Sequence, residues 1–354
     1  MITLEQCLTA IKNYDGPPLK IMEVCGTHTH SIFQYGIRNI LPGNLSLISG
    51  PGCPVCVTPA GYIDYAVQIA HDAGNTLCTF GDLMRVPGHG ASLVEARADG
   101  ASVRIMYAPM DVVRWAQDEP EQMFYVTAVG FETTLPIYAL LLHDIEEKKI
   151  ANIRFLFSIK ALLPALDWIF DKDRSIGGLI GPGHVSAIIG SAAYEPFCRR
   201  CRVPLAIAGF SLEHLAAALY DLISQSRRQT FAVHNLYPNV VSREGNIQAG
   251  RLIAGYFEKK PSVWRGLGVI DASGYFPTAR YAGLSAGGSF ADESLPEPPG
   301  CLCGSIIVGR ADPPDCPLFG TACTPLSPCG PCMVSQEGAC GIWHRNQKTK
   351  GNDL

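Results

Sequence analysis

Over the first 275 or so residues, short apolar runs alternate with amphipathic stretches, and the joints between them are rich in glycine. Residues 19–24 (LKIMEV) lead into CGTHTH and then a helical pattern carrying Ile32, Phe33, Ile37 and Ile40. Residues 45–49 lead into GPGCPVC and a helix carrying Tyr62, Ile63, Ala66, Ile69 and Ala70. Residues 76–80, 102–107 and 124–129 follow the same plan and end in GDLMRVPGHG, APMD and GFETT, the last before a helix expected over 135–147. The alternation then restarts with 153–158, 178–180 before GPGHVSA, and 205–208 before GFS. β-branched runs followed by stretches of helical period predict parallel strands joined by crossover helices. The expected fold is therefore α/β, with two parallel-sheet domains over 1–150 and 151–265. A strand candidate at 266–270 opens a segment, 266–286, that can rejoin the first sheet.

From residue 287 the pattern stops. A Pro-rich stretch, SLPEPPG, reads as a linker, and seven Cys then fall within 40 residues among many Pro and Gly. Such a segment has too little periodic apolar material for a core of its own and is expected to fold around something bound, as a small Cys-rich domain over 287–354.

Composition narrows the function. The chain has 354 residues, 47% hydrophobic and 17% charged, with net charge −4. That is enough apolar material for a sizeable core. No basic stripe interleaves with aromatics, so no nucleic-acid partner is expected. The N-terminus, MITLEQCLTAIKNYDG, lacks a signal-peptide pattern, and no run of 18 apolar residues occurs, so a cytoplasmic protein without a membrane span is expected. In that reducing compartment 14 Cys read as metal ligands or redox thiols rather than as a disulfide framework.

Loops at the carboxyl ends of parallel strands are where such sheets place their chemistry, so CGTHTH, GPGCPVC, GDLMRVPG, GFETT and GPGHVSA are expected to converge on one cleft. Cys53-Pro-Val-Cys56 can close a small disulfide or clamp a metal, and a helix start beside it would favour the thiolate. Cys25 alone could be a small core residue, but His28, three residues on, could take its proton or orient it as a ligand. His30 can equally be a surface residue. His184, Glu132 and Asp82 are further candidates for the cleft. His184 could equally be a satisfied structural histidine, Glu132 a helix cap, and Asp82 the ion-pair partner of Arg85. Cys303, Cys316, Cys323 and Cys340, with 12, 6 and 16 residues between them, are too dispersed for a zinc ribbon and suit a cube-shaped [4Fe–4S] cluster reached from several loops. Cys301, Cys329 and Cys332 raise the thiols beyond four. Cys198 and Cys201 form another C-x-x-C, on a polar helix end, where a structural reading is preferred. Two rival classes stay in view. One is a hydrolase or transferase with a Cys25/His28 nucleophile; the other is an interaction protein whose C-terminal cysteines hold zinc.

EVCGTHTHSIFQYGI, LISGPGCPVCVTP, TFGDLMRVPG, AVGFETT, GPGHVSAIIGS, WRGLG and the closing CPLFGTACTP and MVSQEGAC together resemble the HypD family of hydrogenase maturation factors, from about residue 20 to 345. The resemblance implies two α/β domains and a smaller one around a [4Fe–4S] cluster. It implies an iron-centred redox scaffold that, with the small partner HypC, holds the iron on which the cyanide and carbon monoxide ligands of [NiFe]-hydrogenase are assembled, cyanide coming from the HypE–HypF pair. By the same resemblance Cys25 is an iron ligand, Cys53 and Cys56 are the redox-active or iron-binding pair, and Cys303, Cys316, Cys323 and Cys340 hold the cluster. His28, Asp82 and Glu132 match polar positions of the family's cleft. The chain departs from the family pattern at Ser158-Ile159-Lys160, at Gly209-Phe210-Ser211-Leu212 and in carrying Cys329 and Cys332. A diverged paralogue with another iron or thiol-redox role is the alternative.

Overall fold

A computed structural model describes residues 2–288 and 298–349. Most of the SLPEPPG stretch lies outside the described residues. Among the described residues eleven strands form, in chain order β1 (Leu19–Glu23), β2 (Leu45–Ser49), β3 (Asn75–Thr79), β4 (Val103–Ile105), β5 (Met123–Gly130), β6 (Ile153–Lys160), β7 (Ile176–Pro182), β8 (Leu205–Ala208), β9 (Val233–Asn235), β10 (Phe257–Trp264) and β11 (Gly268–Pro277). The helix over Leu135–Glu147 falls where its apolar period puts it.

The strands make two sheets, and this corrects the expected grouping. A five-stranded sheet has the order β2-β1-β7-β8-β9, all parallel, and a six-stranded sheet has the order β10-β11-β6-β5-β3-β4. β5 and β6, on either side of residue 150, are parallel neighbours over seven residue pairs, whereas β2 and β3, both before it, lie in different sheets. A strand–helix–strand unit pairs its own two strands readily, which explains β5 with β6. β1 carries Ile21 and Met22 fully buried and needs a neighbour on each side; β7, about 155 residues on, supplies the second. Local periodicity contains no information about that choice. The strand expected at 266–270 overlaps β11, which runs antiparallel to β6 at the edge of the sheet that also holds β3, β4 and β5. β10 extends that edge, and buried Lys160 ties it down by donating to Ser262 Oγ and to the Val263 carbonyl, at 2.7 and 2.6 Å.

The Cys-rich segment does not stand apart. Ile306, Ile307, Met333, Cys303 and Cys340 belong to the same apolar cluster as Met22, Val24 and Ile48 of the five-stranded sheet and Leu77 and Leu156 of the six-stranded one. The segment thus borrows a core that its own composition cannot supply. Its last helix, Ala339–Thr349, is held by Trp343 edge-on to Phe33, with the Arg38 guanidinium 4.7 Å from the Trp343 ring. No helix among the described residues is long and apolar enough to cross a membrane.

Candidate metal and thiol-redox site

All five glycine-rich loops reach one cleft of about 500 Å³, lined among others by Cys25, Pro54, Asp82, Thr133 and His184. Each follows a parallel strand, as the topology of such sheets requires. The loops come from both sheets, so the cleft exists only once the two sheets have packed together.

Cys25 lies two residues beyond β1 and is the residue before the helix Gly26–Gln34. The backbone N–H groups of Thr27 and His28 point at its sulfur and favour the thiolate, but burial outweighs them, and the charges of Glu23 and Glu337 add to burial. The thiol is pushed up to about 11 and is protonated at neutral pH. Glu23 is almost fully buried; its carboxylate accepts from the Cys25 N–H at 3.1 Å and from the Thr29 hydroxyl. Burial raises its pKa to about 7 against those hydrogen bonds and the Arg38 charge.

Cys53 and Cys56 are joined as a disulfide, and both are buried. Gly52, just before them, lies against the end of β1: a Cβ there would stand 2.4 Å from the Cys25 nitrogen and the Val24 carbonyl carbon. Those are backbone atoms and cannot yield, so only glycine lets this loop rest against Cys25. Gly52→Ala is expected to lower stability by about 3 kcal/mol and to open the site. An unchanged urea midpoint, with no faster alkylation of Cys25, would contradict this.

Behind Cys25 a second, much smaller cavity of about 20 Å³ is lined by Glu23, Cys25, Ser49, the Cys53–Cys56 disulfide, Cys332 and Glu337. Cys332 also turns the other way, hydrogen-bonding Cys303 and Cys340. Those bonds pull the Cys340 thiol down and push the Cys332 thiol up. Cys323 feels the charges of Cys329 and Cys303, and burial holds its thiol up, at about 11. Cys316 is buried but directs its sulfur to the Gly300 carbonyl at 3.6 Å.

The structure thus brings Cys303, Cys323 and Cys340 together, with Cys316 buried and its sulfur on the Gly300 carbonyl. Cys332, absent from the expected set of four, joins Cys303 and Cys340. The thiols bond to one another rather than spreading about a centre, and among the described residues no group of three or more His, Cys, Asp or Glu is arranged to hold a metal ion. The donor chemistry nonetheless fits a thiolate-bound cluster: more than four thiols, mostly buried, with one already driven toward the thiolate.

His28 is placed differently from expectation. Its ring is fully buried and donates from Nε2 to the Ala208 and Gly209 carbonyls, each at 3.2 Å. Burial lowers its pKa to about 4. It serves Cys25 through its backbone N–H, and its ring ties the Gly26–Gln34 helix to the end of β8. Glu132 likewise lies beneath the cleft rather than in it, accepting the Leu162 N–H at 3.0 Å at the start of the helix Leu162–Lys172. Asp82 and His184 do line the cleft, and His184 stands exposed at its mouth against Phe210, with ring centroids 4.5 Å apart. Sequence reasoning missed Glu23, Ser49 and Glu337, and named Cys332 only as a thiol beyond the four. Glu23 carries a local signal, a charge closing the buried run Ile21-Met22 at the end of β1.

Fold and site together define an α/β protein whose sheet-end loops set a free thiol between an open cleft and a small cavity walled by a disulfide, backed by a thiol-rich C-terminal segment. A family model, HypD, described as the hydrogenase formation hypA family, matches residues 3–347. The chain is 42% identical over 332 residues to a hydrogenase maturation factor HypD of Escherichia coli, covering 93% of this chain and 89% of that one. It is also 42% identical to maturation factors of the same name from Azotobacter vinelandii, over 92% and 88% of the two chains, and Rhizobium leguminosarum bv. viciae, over 90% and 86%. The chain belongs to the HypD family.

Proposed function

We propose that this protein is a hydrogenase maturation factor, an iron-binding thiol-redox scaffold on which the Fe(CN)2CO unit is assembled together with a HypC-like partner and cyanide from HypE–HypF-type proteins. The observation that carries the reading is a set of shared walls: Cys25 lines both the open cleft and the small cavity, the disulfide and Cys332 line that cavity, and Cys332 hydrogen-bonds Cys303 and Cys340. A substrate iron entering the cleft meets Cys25 first. Soft thiolate suits iron(II), and strong-field diatomic ligands complete its shell. The Cys25 thiol gives up its proton as iron binds, and the N–H groups of Thr27 and His28 hold the thiolate that results. The cleft is open enough for a partner's side chain to supply a further ligand.

Cys303, Cys316, Cys323 and Cys340 would hold a [4Fe–4S] cluster. When bound, that cluster supplies single electrons to thiol–disulfide chemistry at Cys53 and Cys56. Cys332 is then the spare thiol, because it faces the small cavity beside the disulfide. Anaerobic purification with iron and sulfide analysis tests this: about four irons and four sulfides are expected. Cys332→Ala should keep that stoichiometry, and Cys316→Ala should lose it. The reverse result would exchange those two residues. A colourless protein holding zinc would overturn the redox reading in favour of a zinc-stabilised interaction protein.

A further inference from the structure

The disulfide Cys53–Cys56 is buried, at 6% and 2% exposure. Reducing it breaks one Sγ–Sγ bond and takes two electrons, delivered singly by a one-electron donor acting twice, and two protons, one ending on each sulfur. Electrons tunnel through packed protein, but protons need a chain of polar groups. Without them two thiolates would be left where burial disfavours charge. The cavity of about 20 Å³ beside the disulfide is the polar space that touches it from behind. It exceeds the ~10–15 Å³ a single water needs, and a water requires two to four polar partners to settle there.

The lining meets that requirement. Ser49 lines the cavity at 6% exposure, and its Oγ has no hydrogen-bond partner. It lies beside Glu23, near enough to help lower that carboxyl's pKa, but outside hydrogen-bond geometry. A buried hydroxyl left unpaired costs about 1–3 kcal/mol, so the orphaned Oγ is itself a mark of a missing ligand. The Glu23 carboxylate and the two disulfide sulfurs share the same walls. The backbone offers no substitute: the Gly50 and Gly52 N–H groups are already spent on the Glu23 and Gly50 carbonyls, at 2.7 and 2.8 Å.

We propose that this cavity holds one ordered water, anchored by Ser49, and that the water is the route by which protons reach the Cys53–Cys56 disulfide on reduction. The proton-route half rests on the redox reading above; the water itself does not. Two measurements on the full, cluster-loaded chain decide it. A high-resolution crystal structure should show one water bonded to Ser49 Oγ. In the second, the protein is reduced anaerobically with dithionite, quenched in acid and alkylated, and thiols at Cys53 and Cys56 are followed by mass spectrometry. Ser49→Val fills the cavity and should slow thiol appearance about tenfold or more, and Ser49→Thr should rescue it by restoring the hydroxyl. If Ser49→Val does not fold with its disulfide and iron intact, Ser49→Ala, which keeps the space and removes the anchor, should still slow the reaction and weaken the water's density. An empty cavity, or a wild-type rate in the Val or Ala variant, overturns the proposal. A wild-type protein whose disulfide never responds to reduction fails differently: it removes the redox reading and the proton route with it, and the crystal structure still decides the water.

Discussion

Cys25→Ala is expected to fold, keep the Cys53–Cys56 disulfide and its iron–sulfur content, and lose every cyanide and carbonyl infrared band that the protein carries after co-expression with its partners. Folding survives because the change is small. The Cys25 sulfur accepts N–H groups at the start of a helix, and the space that alanine leaves beside the cleft lets a water take the place of the sulfur. The retained backbone N–H still bonds Glu23, at 3.1 Å in the native chain. Binding does not survive, because among the described residues no second soft donor lines the open cleft. Its other polar walls, Asp82, Thr133, Thr134, His184 and Glu337, offer oxygen or imidazole donors, which hold iron(II) with strong-field ligands less well than a thiolate does. Diatomic bands surviving at full intensity in this variant would remove Cys25 from the iron site. The companion change His28→Asn separates ring from backbone. It should lower stability through the lost contact with β8 yet leave the bands in place, because Nε2 is spent on the Ala208 and Gly209 carbonyls and His28 reaches the thiol through its backbone N–H.

The second large effect is on stability and comes from Glu132. Its side chain is fully buried, one oxygen caps the Leu162 N–H and the other has no partner. Burial raises its pKa from 4.5 to about 7, only partly offset by the backbone N–H groups of Glu132 and Leu162 and by the Lys259 charge. The sign follows from linkage. Between 4.5 and 7 the folded state binds the proton that the unfolded state has released, so stability falls as pH rises through that window. The full loss is about 3 kcal/mol, at about 1.4 kcal/mol for each unit of displacement. Glu132→Gln has the same shape, keeps an oxygen for Leu162 and cannot ionise. In urea unfolding the variant should therefore gain on the wild type by about 3 kcal/mol between pH 4.5 and pH 8. A difference that stays constant with pH would show that Glu132 is ionised in the folded protein at all these values.

Why would a chain retain a carboxyl that costs stability at neutral pH? Its neighbours Phe131, Thr133 and Leu162 line the cleft, and the bond to Leu162 joins β5's loop to the start of the helix after β6. The carboxyl holds two walls of the cleft in register, which a surface position could not do.

Much of this was legible along the chain. The alternation of β-branched runs and amphipathic stretches placed most strands within a residue or two, because burial on both faces of a parallel strand leaves a continuous apolar run. The glycine-rich joints marked the loops that carry chemistry, and Gly52 shows why: a backbone approach of 2.4 Å to a Cβ position tolerates no other residue. The Cys25, Cys53 and Cys56 positions stood out because thiols in such loops have few bland explanations. β9 and β10 left little trace. β9 is three residues long, and β10 carries the charged, exposed edge positions Glu258, Lys259 and Lys260.

Only the tertiary structure decided the rest. Pairing β1 with β7 across about 155 residues depends on which buried surfaces fit, which no local window contains. The same packing set the His28 ring on the end of β8, brought Cys332 between the disulfide and the other thiols, and left the Ser49 hydroxyl facing a cavity with nothing to bond. Residue type sets what a side chain can do chemically. Its partners are set by the directions in which distant segments close on it, and those exist only in the folded chain.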